Sequence, residues 1–147
     1  MKYLPLLLGL IILGCNAADT SVTEEQQQAF AQMAQDYQTT YMVGAANLNQ
    51  ILAGMDPNIK MWENGKIWTY DDMVKFGPHL PEKAVLDTYN EQLLIDNRTG
   101  YDFVTLRYIS PNTGDTMRET AFRVWVKQAE GWKITKMSNL IHPENCE

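Results

Sequence analysis

Arg107 and Arg123 are the side chains whose types and spacing most invite chemistry in this 147-residue chain. Each lies in a run of alternating character, 101–110 and 116–128, of the kind that predicts a β-strand. Alternation places Arg107 on one face with Phe103, Thr105 and Ile109, and Val104, Leu106 and Tyr108 on the other. A symmetric closure of the turn at 111–115 sets Arg107 beside Glu119. Glu119, Ala121, Arg123 and Trp125 then share its face. A guanidinium keeps its charge in proteins, and burying one without a partner is costly. Two answers fit: an internal ion pair with Glu119, or the carboxylate or phosphate of a small anionic ligand, whose oxygens suit the guanidinium fork.

Other chemistries find less support. Tyr37 and Tyr41 lie one helical turn apart, in line with Phe30 and Met33. Such a stripe belongs to a core, although a buried phenol still needs a hydrogen-bond partner. Trp62 and Trp68 flank Asn64-Gly65 and are expected to wall one end of a cavity. A proton-transfer enzyme needs an unpaired carboxylate base in an apolar site. Asp102 has the opposite parity to Arg107, Glu119 has an arginine at hand, and Asp71 and Asp72 open a short helix, where capping is the commoner role. His79 and His142 are far apart and each adjoins a proline, so no metal site is expected. Ser138 and Cys146 lack an evident base, and no glycine-rich phosphate loop is present. No catalytic constellation is complete, and no cofactor is implied.

These residues must be positioned by a small domain behind a targeting segment. Lys2, the apolar run 4–13 and Ile12-Leu13-Gly14-Cys15 resemble a bacterial lipobox signal, too short to span a bilayer as a permanent helix. This predicts a signal peptide at 1–14, lipid on Cys15, a tether at 15–22, a domain at 23–142 and a tail at 143–147. The expected location is the cell envelope, facing the periplasm and held by lipid alone; an unprocessed lipobox would give a secreted protein instead. Two acyl attachments suit stable anchoring. With Cys15 used, Cys146 is the sole thiol, so stability must come from a packed core. Without Lys2, 11 Lys and Arg stand against 18 Asp and Glu, a net charge of −7. That balance argues against nucleic acid as a partner.

Within the domain, Ser21 or Thr23 fits a capping box ahead of a helical stripe. Gly44 interrupts the stripe, and Gly54 with Asp56-Pro57 ends it. Asn64-Gly65 predicts a hairpin between 59–62 and 66–68. Thr69 caps a third helix, 70–76, and Gly77-Pro78 ends it. Four long strands follow, 85–96, 101–110, 116–128 and 132–140. Helices first and a meander afterwards predict an α+β fold: a cone-shaped, strongly curved antiparallel sheet with three N-terminal helices on its concave face.

Gly44-Ala-Ala-Asn-Leu48 with Ile51-Leu52, Asn64-Gly65-Lys66, Leu106-Arg107-Tyr108, 119–125 (ETAFRVW) and Gly131-Trp132-Lys133-Ile134 together resemble the nuclear transport factor 2-like superfamily. The likeness is strongest to its SnoaL-like branch and to the association domain of calcium/calmodulin-dependent kinases. Ala45 departs from the family's usual Asp. The resemblance implies a pocket between helices and sheet, and dimerisation through the sheet's outer face. It further implies that Arg107 and Arg123 point into the pocket, as the kinase association domains place theirs. Tyr37 or Tyr41 would sit where ketosteroid isomerase relatives hold a hydrogen-bond donor. The expected ligand-binding set is Arg107, Arg123, Glu119, Tyr37, Tyr41 and Trp62. The function classes that fit are a pocket for a small anion, a SnoaL-like isomerase, cyclase or dehydratase, and a dimeric envelope module whose outer face carries Val104, Leu106, Tyr108, Phe122, Val124 and Val126.

Overall fold

The computed structural model describes residues 21–144. The expected signal peptide, the lipidated Cys15 and Cys146 lie outside the described residues. Thr23 caps the first helix, α1 (Glu24–Met42), by the capping box with Gln26. A 3-10 turn at Gly44–Asn47, started by Gly44 at φ +72°, breaks the helical run, and α2 (Leu48–Ala53) resumes it. Strand β1 (Met55–Glu63) then turns tightly through Asn64 (φ 47°) and Gly65 (φ 81°) into β2 (Lys66–Thr69). Left-handed backbone at both central positions is what a two-residue hairpin requires. Thr69 caps α3 (Tyr70–Phe76), and β3 (Ala84–Leu94), β4 (Thr99–Ile109), β5 (Thr116–Gln128) and β6 (Gly131–Pro143) complete the chain.

The six strands form one open sheet in the order β2-β1-β6-β5-β4-β3. The expectation of an antiparallel sheet needs one correction: β1 runs parallel to β6. β2 occupies one edge of β1, and the long meander returns to the other, where the Ile134 amide bonds the Gly54 carbonyl at 2.8 Å. Bulges in β1, β3 and β6 bend the strands. The helices cover one face and bury Phe30, Ala34, Tyr37 and Tyr41 of α1, Ile51 of α2 and Met73 of α3 against it. Gln27 fastens α1 to β3 by accepting from the Leu94 amide and donating to the Gln92 carbonyl. Among the described residues no helix is long and apolar enough to cross a membrane.

One register decides which side chains look inward. Arg107 pairs with Arg118, and Leu106 with Glu119. The connection from β4 to β5 is closed asymmetrically by Ser110 and Asp115, with Gly114 at φ +77°. This is one residue away from the symmetric closure, and a one-residue shift exchanges the two faces of a strand. The inner face therefore carries Asp102, Val104, Leu106 and Tyr108 beside Glu119, Ala121, Arg123 and Trp125, all buried. Val104, Leu106 and Tyr108 are core and not outer surface, which corrects that expectation.

Candidate functional site

Two ion pairs sit under the helices. Arg123 and Asp102 are cross-strand partners, with side chains 1% and 0% exposed. Arg123 Nε donates to the two carboxylate oxygens at 2.9 and 3.1 Å, and Nη2 donates to Oδ2. The Trp125 indole N–H donates to Oδ1 at 2.8 Å. The Tyr37 ring lies 5.3 Å from the guanidinium and edge-on to Trp125. Burial pushes the Tyr37 phenol up, opposed by the Arg123 charge, and its hydroxyl has no hydrogen-bond partner among the described residues.

The second pair is Lys83 with Glu119, 2.5 Å apart, with side chains 6% and 2% exposed. Lys83 stands in the segment between α3 and β3, held by its own amide on the Met42 carbonyl and by the Ala45 amide on the Leu80 carbonyl. Its ammonium lies 4.2 Å from the Tyr41 ring centre and 5.2 Å from that of Tyr108. Burial raises the Tyr41 phenol well above its ordinary value, and the negative charges of Glu119 and Glu63 raise it further. Tyr41 is therefore an O–H donor throughout the physiological range.

Beside these pairs lies a cavity of about 80 Å³ between α3, the end of α1 and the β1–β6 part of the sheet. Met55, Met61, Met73 and Met137 line it with Tyr41, Trp68, Phe76 and Leu80, and its polar lining includes Glu63 and Asn139. The rows of the sheet explain the set. Met61 and Glu63 are inward residues of β1, opposite Met137 and Asn139 of β6, and the tight hairpin sets Trp68 across from Met61. Asn139 donates a long 3.4 Å hydrogen bond to a Glu63 oxygen. Its own Oδ1 and the Trp68 indole N–H are buried without partners among the described residues. Burial without a hydrogen bond costs free energy, so both atoms favour a guest that completes them. A wider recess of about 300 Å³ opens at the far end of α1, beside Phe30 and Trp132. The smaller cavity is the stronger site because its unpartnered polar atoms are enclosed.

The expected residues divide accordingly. Tyr37, Tyr41, Glu119 and Arg123 are inner and buried, but only Tyr41 lines the cavity. Arg123 is answered by Asp102 and not by Glu119, and Glu119 is answered by Lys83. Asp102, expected to face away from the cavity, is the most buried of the carboxylates because it stands opposite Arg123. Arg107 lies on the outer face by the register described above. There it binds Glu144 through two hydrogen bonds of 2.7 Å, and Asp87 at 2.5 Å. Trp62 is also outer, 41% exposed, because it alternates with Met61 and Glu63. Two arginines converging on one pocket, the ground for an anion site, are not what the fold builds. Glu63, Trp68 and Asn139 were missed as a set. Their signal was present in the Asn64-Gly65 hairpin, whose register places 61, 63 and 68 on one face.

No protein-family model matches the chain, and no curated protein does. Solved structures do resemble it. A ketosteroid isomerase-like protein from Erwinia carotovora atroseptica superposes with a TM-score of 0.61 at 13% identity, covering 81% of this chain and 98% of that one. An NTF2-like protein of unknown function in nutrient uptake from Rhodospirillum rubrum gives 0.61 at 11% identity, over 76% and 97%. A putative calcium/calmodulin-dependent protein kinase II association domain from Xanthomonas campestris gives 0.56 at 12% identity, over 84% and 91%. At these identities the likeness is one of fold. The chain has the α+β cone fold called nuclear transport factor 2-like or cystatin-like.

Proposed function

We propose that the domain binds a small, mostly apolar molecule in the methionine-lined cavity. The observation that carries this reading is the pair of enclosed, unpartnered polar atoms, Asn139 Oδ1 and Trp68 Nε1, in an otherwise apolar space. Known ligand pockets run to roughly 300–1,000 Å³, so this cavity suits a compact guest or widens as its methionines change rotamer; unbranched thioethers adapt readily. Isoamyl alcohol is a fitting probe. It is expected to move the Trp68 indole N–H resonance saturably at millimolar concentration and to leave that of Trp125, bonded to Asp102, in place. A cavity-filling Met73→Phe should abolish the effect. If neither isoamyl alcohol nor other small alcohols shift Trp68, the reading falls.

One observation favours catalysis as a second reading. Glu63 lines the cavity and makes no ion pair among the described residues, while the protonated Tyr41 lines the same space. An unpaired carboxylate and a phenol donor are the elements of proton transfer beside a carbonyl, as in SnoaL-like and ketosteroid isomerase-like proteins. Accelerated deuterium exchange at the α-carbon of butanone, abolished by Glu63→Gln, is the expected result. Exchange no faster than in buffer leaves binding alone.

The lipobox-like 12–15 supports export to the cell envelope with lipid on Cys15. Mass spectrometry of the mature protein should find a diacylglyceryl modification there; an unmodified thiol removes that proposal. The outer face, with Phe122, Leu140, Tyr89 and Leu93 exposed and Tyr101 packed on Phe122, supports a homodimer through the sheet. Light scattering should give twice the protomer mass, reduced to one by Leu140→Lys; a monomeric wild type excludes the dimer.

A further inference from the structure

The charge inside the cone points to the kind of guest. Four of its ionised groups cancel in pairs, Arg123 with Asp102 and Lys83 with Glu119. Glu63 is left over: its cross-strand neighbour Lys66 is exposed and forms no ion pair with it. Half-buried Glu63, the one carboxylate lining the cavity among the described residues, is therefore an uncompensated charge on its wall. Asn139 fixes the sense of the site further. A carboxylate can only accept, so the Asn139 amide nitrogen is the atom turned to Glu63, and its oxygen is the atom left without a donor. Glu63 and Asn139 together ask for N–H donors and for positive charge. Trp68 Nε1 asks for one acceptor.

We infer that the cavity is selective for a small aliphatic primary amine carrying one hydrogen-bond-accepting oxygen, a branched amino alcohol in its simplest form. This deepens the binding reading above and rests on it. An ammonium supplies donors to both the Glu63 carboxylate and Asn139 Oδ1, a hydroxyl accepts from Trp68, and the branched carbons meet the four methionines. A primary ammonium keeps its proton at neutral pH. The cavity volume of about 80 Å³ sets the scale of the guest. A carboxylate guest would meet Glu63 with like charge, the reverse of what an arginine pocket would favour.

Three probes of one carbon skeleton separate the possibilities: valinol (cationic), isoamyl alcohol (neutral) and isovalerate (anionic), titrated at pH 7 on the Trp68 indole resonance of the full domain. Valinol is expected to bind at least about tenfold more tightly than isoamyl alcohol, the effect of a charge-assisted hydrogen bond. Isovalerate should give no saturable shift. Glu63→Gln should bring valinol down to the level of isoamyl alcohol. Equal binding of valinol and isoamyl alcohol, or tighter binding of isovalerate, overturns the amine assignment and leaves the pocket standing. Silence from all three probes overturns pocket and amine together. The wild-type comparison decides the matter even if Glu63→Gln fails to fold.

Discussion

Arg123 owes its place to Asp102, and the converse holds equally. Neither charge would tolerate such burial alone, and the indole of Trp125 shares the same carboxylate. Removing one partner of a buried pair leaves the other uncompensated, which typically costs about 3–5 kcal/mol. Asp102→Asn keeps the shape and removes the charge. It is expected to lower the unfolding free energy by about that amount, read from urea denaturation, with the double variant Asp102→Leu, Arg123→Met recovering a large share. An Asp102→Asn protein as stable as the wild type would mean that the pair contributes little. Lys83 and Glu119 form a second such couple, yet Lys83 was not legible in the sequence. It sits in an irregular segment where neither period 2 nor period 3.6 reports which way a side chain points.

At the scale of elements, most of the chain could be read in advance. Thr23 and Thr69 mark helix starts, Asn64-Gly65 fixes a hairpin, and four alternating runs become β3 to β6 nearly to the residue. The loop at 110–115 was not legible, because its closure depends on backbone geometry at Gly114 and not on polarity. That single ambiguity sent Arg107 to the wrong side and hid Asp102. The inward face of the β1–β2 hairpin was likewise open until its docking was known, which is why Trp62 was expected in the ligand-binding set while Trp68, expected only as a wall, is the one that lines the cavity. The seating of α1 depends on Gly100, where an added Cβ would lie 2.5–2.9 Å from the Phe30 ring. Gly100→Ala must displace that buried ring, and with it the helix. Overpacking of this kind typically costs about 1–3 kcal/mol, measurable as a lower urea midpoint. A midpoint unchanged by the methyl group would show that α1 yields without strain.

Across the whole molecule, the sheet separates two ionic settings. Inside, charges are few and, apart from Glu63, matched; outside, Glu144, the residue after β6, joins Arg107 and Arg118, and Arg107 also holds Asp87. The clasp links three strands to the C-terminal end of β6. The hydrogen bonds from Arg107 and then Arg118 hold the Glu144 carboxyl at about 2, below its ordinary 4.5. A depressed folded-state value means that the contribution is complete above about pH 4.5 and is lost as the pH falls toward 2. Wild type and Glu144→Gln should therefore differ in thermal stability at pH 7 and converge near pH 2, with the gap shrinking in high salt because the clasp is exposed. A gap independent of pH would assign the effect to packing. The inner pair Asp102–Arg123 has a different consequence, for assembly of the fold. Sliding β4 by one position past β5 would carry the aspartate across the sheet and maroon the guanidinium among hydrocarbon. A misaligned hairpin is thus rejected by its own electrostatics, so the couple proofreads strand pairing where the connecting loop leaves it undetermined.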